Sequence, residues 1–315
     1  MCRAVRDSAV VRFGVLILPA EPWRAQRETW QRAETLGFDH AWTFDHLAWR
    51  WLREEAWFGA VPTLAAAAAV TSRIRLGTLV ASPNFRHPVP FARERMTLDH
   101  ISGGRFTLGI GAGGGGFDAA TTRREPWSRR ERADRFDEFV TLLDRLLSEP
   151  VTTHEGRFYQ AFGARMHPGC VQRPRLPFAV AAGGPRGMGL AARCAATWVT
   201  EGPTAPDGGA IGLDAALPGL AAELGRMDAA CADAGRDPKT LGRLLFTGTH
   251  ISGTTESPGA FREAAGRLAE LGFTDLVVPW PRPADPFAGE IGTLELIATE
   301  AGALRGSTGG TAGHP

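Results

Sequence analysis

Eight repeats of one local pattern constrain the fold of this 315-residue chain more than any other feature. Each repeat is a short apolar segment rich in β-branched or aromatic residues, followed by a longer segment with helical periodicity. The predicted strands are RFGVLILP (12–19), FDHAWTFDH (38–46), RIRLGTLVAS (73–82), RFTLGIG (105–111), FAVAAGG (178–184), TWVTEG (197–202), RLLFTGT (243–249) and TDLVVPW (274–280). The predicted helices are 22–36, 59–71, 89–101, 129–149, 186–196, 213–234, 260–271 and 287–303.

Eight strand–helix repeats in one chain predict an α/β fold of the (β/α)₈ TIM-barrel type, because each strand returns parallel to the last through a crossover helix. A doubly wound open sheet is the alternative, and the even spacing of the repeats disfavours it. Glycine-rich and charged residues interrupt the pattern after the fourth strand, and residues 150–177 interrupt it before the fifth. We therefore expect one barrel domain over residues 1–304 with these two insertions, and a disordered polar tail over 305–315.

Composition narrows the class of partner. The formal net charge of +1 predicts no affinity for nucleic acid or for an anionic membrane. No segment reaches the roughly 20 apolar residues of a membrane-spanning helix. The four cysteines contain no CxxC pair, and the N-terminus lacks the pattern of a secretory signal. We expect a cytoplasmic protein with a small-molecule substrate.

The loops after the strands are the expected location of function, because in a barrel the loops at the carboxyl ends of the strands all open onto one face. Three of these loops begin with unusual residues. They are Asp45-His46 after the second strand, GAGGGG (111–116) after the fourth and AAGGPRG (181–187) after the fifth. We expect the three loops to form one site.

The glycine-rich stretch after the fourth strand has three interpretations. Gly109, Gly111 and Gly114 satisfy the G-x-G-x-x-G spacing of dinucleotide-binding folds, but no predicted helix opens at the third glycine. A flexible loop is the second interpretation. The third, which we favour, is a backbone cradle for a flat ring or a phosphate, since glycine lets a ligand approach the main chain closely.

The stretch after the fifth strand places two glycines and a proline just before a helix. The free amides of Gly183 and Gly184 at a helix N-terminus suit an anion, and Arg186 would add donors. Pro185 also suits the first turn of a helix with nothing bound, so a purely structural turn is the alternative.

Among the eight histidines, His46 is the strongest catalytic candidate, because it follows Asp45 at a strand end and histidine exchanges protons near neutral pH. A structural histidine is the alternative. His87 and His250 are weaker candidates for the wall of a substrate pocket. His40 lies near the same loop, yet no H-x-H or H-E-x-x-H spacing occurs, and we predict no metal site.

Four separated segments resemble, in order, the bacterial luciferase-like oxidoreductases that use flavin or the deazaflavin coenzyme F420. The segments are FGVLILP with LGFDHAWTFDHL, then RIRLGTLVASPNFRHPVPFARERMTLDHISGGRFTLGIGAG, then GRFY through VQRPRLPFAVAAGGP, and finally LGFTDLVV. The likeness covers residues 12 to 280, and the second segment is the most specific. It implies a TIM barrel with oxidoreductase activity.

Within this family, an Asp-His pair after the second strand is typical of the members that bind coenzyme F420. The resemblance implies that Asp45 contacts the polar edge of the deazaflavin and that His46 lies beside its reactive carbon. It also implies a bulge after the third strand, often with a cis peptide bond, at Leu79-Val80. It assigns the ribityl and phosphate parts of the coenzyme to Gly111, Ala112, Gly113, Gly114, Ala182, Gly183 and Gly184.

The leading hypothesis is a coenzyme F420-dependent oxidoreductase in which His46 gives or takes the proton that accompanies hydride transfer. The first alternative is an FMN-dependent monooxygenase, in which reduced flavin reacts with oxygen. The second is a barrel that binds a ligand without catalysis. Either enzyme would need an F420 reductase or a flavin reductase as its electron source, and members of this family often form homodimers.

The substrate is indicated only in outline. Trp49 and Trp51 lie in an aromatic-rich segment, HLAWRWLREEAWF, that we expect to cover a hydrophobic substrate; a helix packed on the barrel is the alternative. The sugar-phosphate dehydrogenases of this family have a glutamate where this chain has Gly114, and they bind phosphate with lysines. This chain has one lysine, Lys239, in a polar turn. The resemblance therefore argues against a sugar-phosphate substrate.

Overall fold

Eight parallel strands close into a barrel in the computed structural model of this chain, which describes residues 11–114, 117–122, 125 and 127–308. The strands are β1 (Arg12–Leu16), β2 (His40–Thr43), β3 (Arg75–Thr78), β4 (Phe106–Gly111), β5 (Thr152–Glu155), β6 (Gln160–Ala164), β7 (Phe178–Ala181), β8 (Thr197–Thr200), β9 (Ile211–Gly212), β10 (Gly242–Phe246), β11 (Ile251–Ser252) and β12 (Asp275–Pro279). The helices are α1 (Trp23–Thr35), α2 (Ala60–Val70), α3 (Pro88–Ile101), α4 (Phe117–Thr122), α5 (Arg129–Ser148), α6 (Pro185–Cys194), α7 (Leu213–Asp233), α8 (Pro258–Leu271) and α9 (Ile291–Thr308).

The order of strands around the ring is β1-β12-β10-β8-β7-β4-β3-β2. At least one helix follows each of these strands, so the prediction of a (β/α)₈ barrel is confirmed and an open sheet is not formed. In this ring β2 and β8 lie four strands apart in either direction. Residues that follow β2 therefore face residues that follow β8 across the mouth of the barrel.

The core has two layers because successive side chains of a strand point to opposite sides. On β10, Leu244 and Phe246 point into the barrel, whereas Leu245 packs in the layer between the strands and the helices. The barrel interior is filled rather than open. It contains Leu16, Trp42, Phe44, Leu79, Val199, Phe246 and Val277, among others.

The lower end of the barrel is closed by a polar network around Asp275 at the start of β12. Arg12 donates two hydrogen bonds of 2.8 Å to its carboxylate, and His40 Nε2 lies 3.2 Å from Oδ1. Burial alone raises the pKa of Asp275, but the hydrogen bonds from His40 and Arg12 overcome it and hold that pKa below its ordinary value. Because Trp42 Nε1 donates to His40 Nδ1 at 2.6 Å, both ring nitrogens of His40 are used structurally.

Both predicted insertions are present. The one after β4 contains the short helix α4 as well as α5, whereas the sequence pattern predicted irregular structure up to about residue 129. The one before β7 is an antiparallel hairpin formed by β5 and β6.

The C-terminal helix differs from the prediction at both ends. It begins at Ile291 rather than at residue 287, because the preceding residues form a turn in which Arg282 N bonds Phe287 O and Gly289 N bonds Arg282 O. It continues to Thr308, since no proline interrupts it, so the tail predicted for 305–315 is helical over its first four residues. Residues 309–315 lie outside the described part of the chain.

Within the described ranges, no helix combines the length and the apolarity needed to cross a membrane. Cys170, Cys194 and Cys231 are free thiols. Burial raises the pKa of all three, and that of Cys194 reaches about 11. These cysteines are therefore thiols rather than nucleophilic thiolates at neutral pH.

Candidate active site

A cavity of about 250 Å³ opens among the loops at the carboxyl ends of the barrel strands. This is the face on which barrels carry their sites. The cavity draws residues from the loops after β2, β3, β4, β8 and β10. It is lined by Phe44, His46, Trp49, Arg50, Trp51, Leu79, Val80, Ser82, Gly113, Gly114, Asp118, Glu201, Thr249 and His250.

His46 borders this cavity and is held by a carboxylate that the sequence reasoning missed. Its Nδ1 lies 2.7 Å from Oδ2 of Asp118, the second residue of α4. Oδ1 of Asp118 accepts from the backbone amides of Leu47 at 2.7 Å and Ala48 at 3.3 Å. A carboxylate oxygen accepts hydrogen bonds, so Nδ1 carries the hydrogen and Nε2 is the atom left for a bound molecule.

Asp45 is buried beneath the site and does not line the cavity. Its carboxylate accepts from Arg86 Nη2 at 2.5 Å and from Arg95 Nη2 at 3.1 Å. Arg95 is fully buried, and burial lowers its pKa to about 10 although Asp45 opposes that shift. The side chain that the resemblance assigned to the deazaflavin edge therefore engages two arginines and ties the loop after β2 to α3.

The segment after β3 departs from the strand as expected. The peptide bond between Leu79 and Val80 is cis, at the position that the resemblance indicated, and both side chains line the cavity. Ala81 then returns to pair with Ile110 of β4. Ser82 lies on the same wall, and its buried Oγ has no hydrogen-bond partner among the described residues.

The glycines after β4 form a tight cradle against the segment after β3. Gly113 has φ +72°, and a Cβ at this position would lie 2.5 Å from Nδ2 of Asn84 and 3.0 Å from Cβ of Ser82. A Cβ on Gly111 would lie 3.0 Å from Cγ2 of Val80. Glycine at these positions therefore reflects close packing of backbone, and Gly113 with Gly114 leaves the cavity wall without side chains. The last two glycines of GAGGGG lie outside the described residues.

The loop after β7 leads into the N-terminus of α6. A Cβ added to Gly183 or Gly184 would meet no atom within 4 Å, so open space surrounds both residues. Neither of them, nor Ala112 or Ala182, lines the cavity. Arg186 turns away to an exposed ion pair with Asp134 at 2.5 Å, so the predicted extra donor is directed outward.

The aromatic segment after β2 forms turns rather than the alternative helix, and it covers one side of the cavity. Trp49 is buried against Trp51, with ring centroids 4.8 Å apart, and stacks on Phe287 at 5.7 Å. Trp57 Nε1 donates to the carbonyl of His46 at 2.9 Å. The aromatic cluster thus both shields the site and holds the backbone of the catalytic candidate.

The other two histidines predicted to line the pocket, His250 and His87, differ in position. His250 lines the cavity, next to Thr249 and Glu201. His87 does not: it precedes α3, where its Nδ1 accepts from Val89 N at 3.3 Å, and its ring packs edge-on against Tyr159. It serves as a helix cap there, which explains its position before a proline. No group of three or more His, Cys, Asp or Glu side chains in the described ranges is arranged to hold a metal ion.

Four cavity residues had no sequence signal strong enough to single them out. Asp118 lies 72 residues from the histidine it contacts and sits in a segment predicted to be irregular. Ser82, Glu201 and Thr249 lie at or next to the ends of the predicted strands 73–82, 197–202 and 243–249, and that position is the one signal that would have identified them.

The fold and the cavity define a (β/α)₈ barrel with a small-molecule site at its mouth. The chain belongs to the luciferase-like monooxygenase family, whose model matches residues 8–257. A coenzyme F420-dependent glucose-6-phosphate dehydrogenase of Intrasporangium calvum is 41% identical over 160 residues, which cover 49% of this chain and 46% of that protein. A coenzyme F420-dependent hydroxymycolic acid dehydrogenase of Mycobacterium tuberculosis is 31% identical over 260 residues, 81% of this chain and 65% of that protein.

The match covers less than two thirds of the length of each of these relatives. Among solved structures, the coenzyme F420-dependent tetrahydromethanopterin reductase of Methanopyrus kandleri superposes with a TM-score of 0.73 at 18% identity, over 93% of this chain and 98% of that one. At this identity the likeness shows the shared barrel fold.

Proposed function

We propose that this chain is an oxidoreductase that transfers hydride between coenzyme F420 and a small organic substrate, with His46 exchanging the accompanying proton. The observation that carries the proposal is the His46–Asp118 pair on the wall of a cavity that also contains the Leu79-Val80 bulge and the glycine cradle. Similarity to relatives named as F420-dependent dehydrogenases supports the choice of coenzyme.

The residues around the cavity fit a flat ring with a polyol and phosphate chain. Val80 and Leu79 offer an apolar surface to a ring, and Gly113 removes side-chain bulk beside it. The unpartnered Oγ of Ser82 suits a hydroxyl of the chain. Outside the cavity, the open backbone at Gly183 and Gly184, at the positive end of α6, suits a phosphate.

When bound, the coenzyme would supply the hydride chemistry, and the protein would supply position, proton and exclusion of water. Nε2 of His46 is the proton-exchanging atom, because Nδ1 is committed to Asp118. Asp118 holds the ring in one tautomer and balances the charge of the protonated ring. Trp49 and Phe44 keep water from the reacting atoms, since both are buried against the cavity.

We assign Asp45 a positioning function rather than direct contact with substrate. Its two arginine partners lie on the segment after β3 and on α3. The ion pairs therefore connect two neighbouring barrel units, that of β2 and that of β3 with α3, next to His46. Removing the carboxylate would leave Arg95 buried without its anion, which is costly in the interior of a protein.

A second candidate function is an FMN-dependent monooxygenase of the same family. The observation that favours it is the family model itself, which describes luciferase-like monooxygenases and matches residues 8–257. The same cavity would then hold the isoalloxazine ring of a reduced flavin. Either activity would draw electrons from a separate reductase, for F420 or for flavin, and homodimer formation stays a prediction.

Titration of the purified protein with coenzyme F420 and, separately, with FMN tests the proposal, with ligand fluorescence as the readout. We expect micromolar binding of F420 and much weaker binding of FMN. The reverse preference would replace the proposal by the monooxygenase. Binding of neither cofactor would reject both enzymatic functions.

The role of His46 is tested with a matched pair of histidine variants. His46→Ala should bind F420 like the wild type and lose activity by about 10²- to 10⁴-fold, the usual contribution of a general acid or base. His87→Asn, which keeps a capping side chain at α3, should retain activity because His87 lies outside the cavity. Full activity of His46→Ala with saturating coenzyme would contradict the assigned role.

A further inference from the structure

A second polar pair lies across the barrel mouth from His46. Glu201 follows β8 and His250 follows β10, which are neighbouring strands. Because β8 is four strands from β2 around the ring, Glu201 belongs to the wall opposite His46. Glu201, His250 and His46 all line the same cavity of about 250 Å³. Glu201 and His250 therefore face the space that separates their own wall from His46.

The contacts of the pair leave one carboxylate oxygen of Glu201 without a hydrogen bond in the described part of the chain. Nδ1 of His250 lies 2.8 Å from the carbonyl oxygen of Gly202, which only accepts, so Nδ1 carries a hydrogen. Nε2 lies 3.2 Å from Oε2 of Glu201, and the two side chains form an ion pair when the ring is protonated. Within the described part of the chain, no hydrogen bond reaches Oε1 of Glu201. His250 thus fixes the carboxylate in place and leaves one oxygen available.

Thr249 adds a second unsatisfied group to this wall. Its Oγ1 is buried and has no hydrogen-bond partner among the described residues, and the residue lines the cavity. Buried polar atoms are nearly always paired in native proteins, so an unpaired hydroxyl at a cavity wall points to a ligand partner. A hydroxyl both donates and accepts, whereas Glu201 only accepts.

The charges on this side of the mouth disfavour an anion. A second cavity of about 380 Å³ lies at the loops after β10 and β12, where barrels often bind phosphate. Its charged lining residues are Glu256, Asp285 and Glu290, and none of the described residues that line it is Lys, Arg or His. Arg50 lines the first cavity from the wall after β2, where its guanidinium carbon lies 4.2 Å from the ring centroid of Trp51.

We propose that Glu201, Thr249 and His250 select the substrate by binding a hydroxyl or amino group that donates a hydrogen bond to Glu201. The rest of the molecule would lie against Trp49 and between the two walls. The selected class is an apolar molecule with an O–H or N–H donor and without a phosphate. This proposal deepens the proposed function and rests on it, because the substrate must reach the coenzyme beside His46.

The test uses three ligands that share one apolar ring and differ in the polar group: cyclohexanol, cyclohexylammonium and cyclohexyl phosphate. Binding to the full chain is measured by ligand-observed NMR, with and without coenzyme F420, and F420 binding is measured separately by fluorescence. The variants are Glu201→Gln, which removes the charge at constant shape, Glu201→Lys, which reverses it, and Glu263→Gln. The last removes an exposed carboxylate from α8 and serves as the control.

We expect the wild type and Glu263→Gln to bind the alcohol or the ammonium ligand at least about tenfold more tightly than the phosphate. Glu201→Gln should lose preference for ammonium and keep part of the alcohol binding, which separates a cationic from a neutral donor. Glu201→Lys should invert the order toward phosphate. The proposal would be overturned if the wild type bound the phosphate most tightly, or if it bound all three ligands equally or not at all. It would also be overturned if neither Glu201 substitution changed the order of affinities. If the wild type fails to bind F420 but shows the expected order of ligand affinities, the result counts against the proposed function and not against the ligand preference.

Discussion

Replacing Asp118 by asparagine isolates the interaction on which the proposed proton exchange at His46 depends. Asparagine has the shape of aspartate, and its amide oxygen can still accept from the Leu47 and Ala48 amides, so the loop after β2 should keep its conformation. The amide nitrogen then faces Nδ1 of His46 and donates to it. The ring hydrogen moves to Nε2, and the neutral ring can no longer take a proton from the cavity at that atom.

The size of the effect follows from the lost charge-assisted hydrogen bond. Such a bond contributes about 1.5–3 kcal/mol. Since 1.36 kcal/mol corresponds to a tenfold change in rate, kcat should fall by about 10- to 150-fold. The affinity for coenzyme F420 should be nearly unchanged, because asparagine keeps the shape of the Asp118 side chain at the cavity wall. The ¹⁵N shifts of the His46 ring should report the change of tautomer without any turnover.

A double-mutant cycle decides whether Asp118 acts through His46. Asp118→Asn, His46→Ala and the double variant are compared in steady-state turnover of one accepted substrate with saturating coenzyme. If the carboxylate works by orienting the ring, the double variant falls no further than His46→Ala, because effects of residues that act as a unit are not additive. A further 10- to 150-fold loss in the His46→Ala background, or an unchanged kcat and tautomer in Asp118→Asn, would refute this reasoning.

Three further substitutions test the scaffold of the site. Gly113→Ala places a Cβ at φ +72° against Asn84, so we expect a loss of about 1–2 kcal/mol of stability in thermal unfolding and weaker F420 binding by fluorescence. Arg95→Met removes a buried partner of Asp45 and should cost about 3–5 kcal/mol in urea unfolding; a variant as stable as the wild type would contradict the role of this ion pair. The folded state holds the pKa of Asp275 below its ordinary value of about 4, so the ionised carboxylate stabilises the protein at pH values above about 4. This contribution is lost as the pH falls through the pKa of Asp275 in the folded protein. Asp275→Asn should therefore lower stability by about 1.5–3 kcal/mol at pH 7, with a difference from the wild type that shrinks under more acidic conditions.

Much of the candidate site was accessible from strand ends together with the family resemblance. His46, Trp49, Gly114 and His250 were expected from the loops in which they lie and Val80 from the resemblance, and all five line the cavity. Each follows a strand closely, so the barrel rule places it at the mouth with little dependence on detail. His87 failed this rule because its segment turns back into α3 after the bulge, and the side chain caps the helix.

The direction of side chains was less accessible. Asp45 and His46 are adjacent in sequence, but the loop turns so that Asp45 points down to two arginines and His46 points to the cavity. Arg186 lies at a predicted anion site, yet its long side chain finds Asp134 on α5 instead. Local pattern indicates where a residue sits along the chain, whereas neighbours from other elements decide where its side chain goes.

The sequence by itself determined the barrel, because the alternation of apolar strands and amphipathic helices is a local property repeated eight times. It also determined which loops open onto the functional face. Only the tertiary structure decided that Asp118 holds His46, that Asp45 is committed to Arg86 and Arg95, and that Glu201 meets His250 on the opposite wall. These contacts join residues that lie on different barrel units, and their distances exist only once the parallel strands close into a ring.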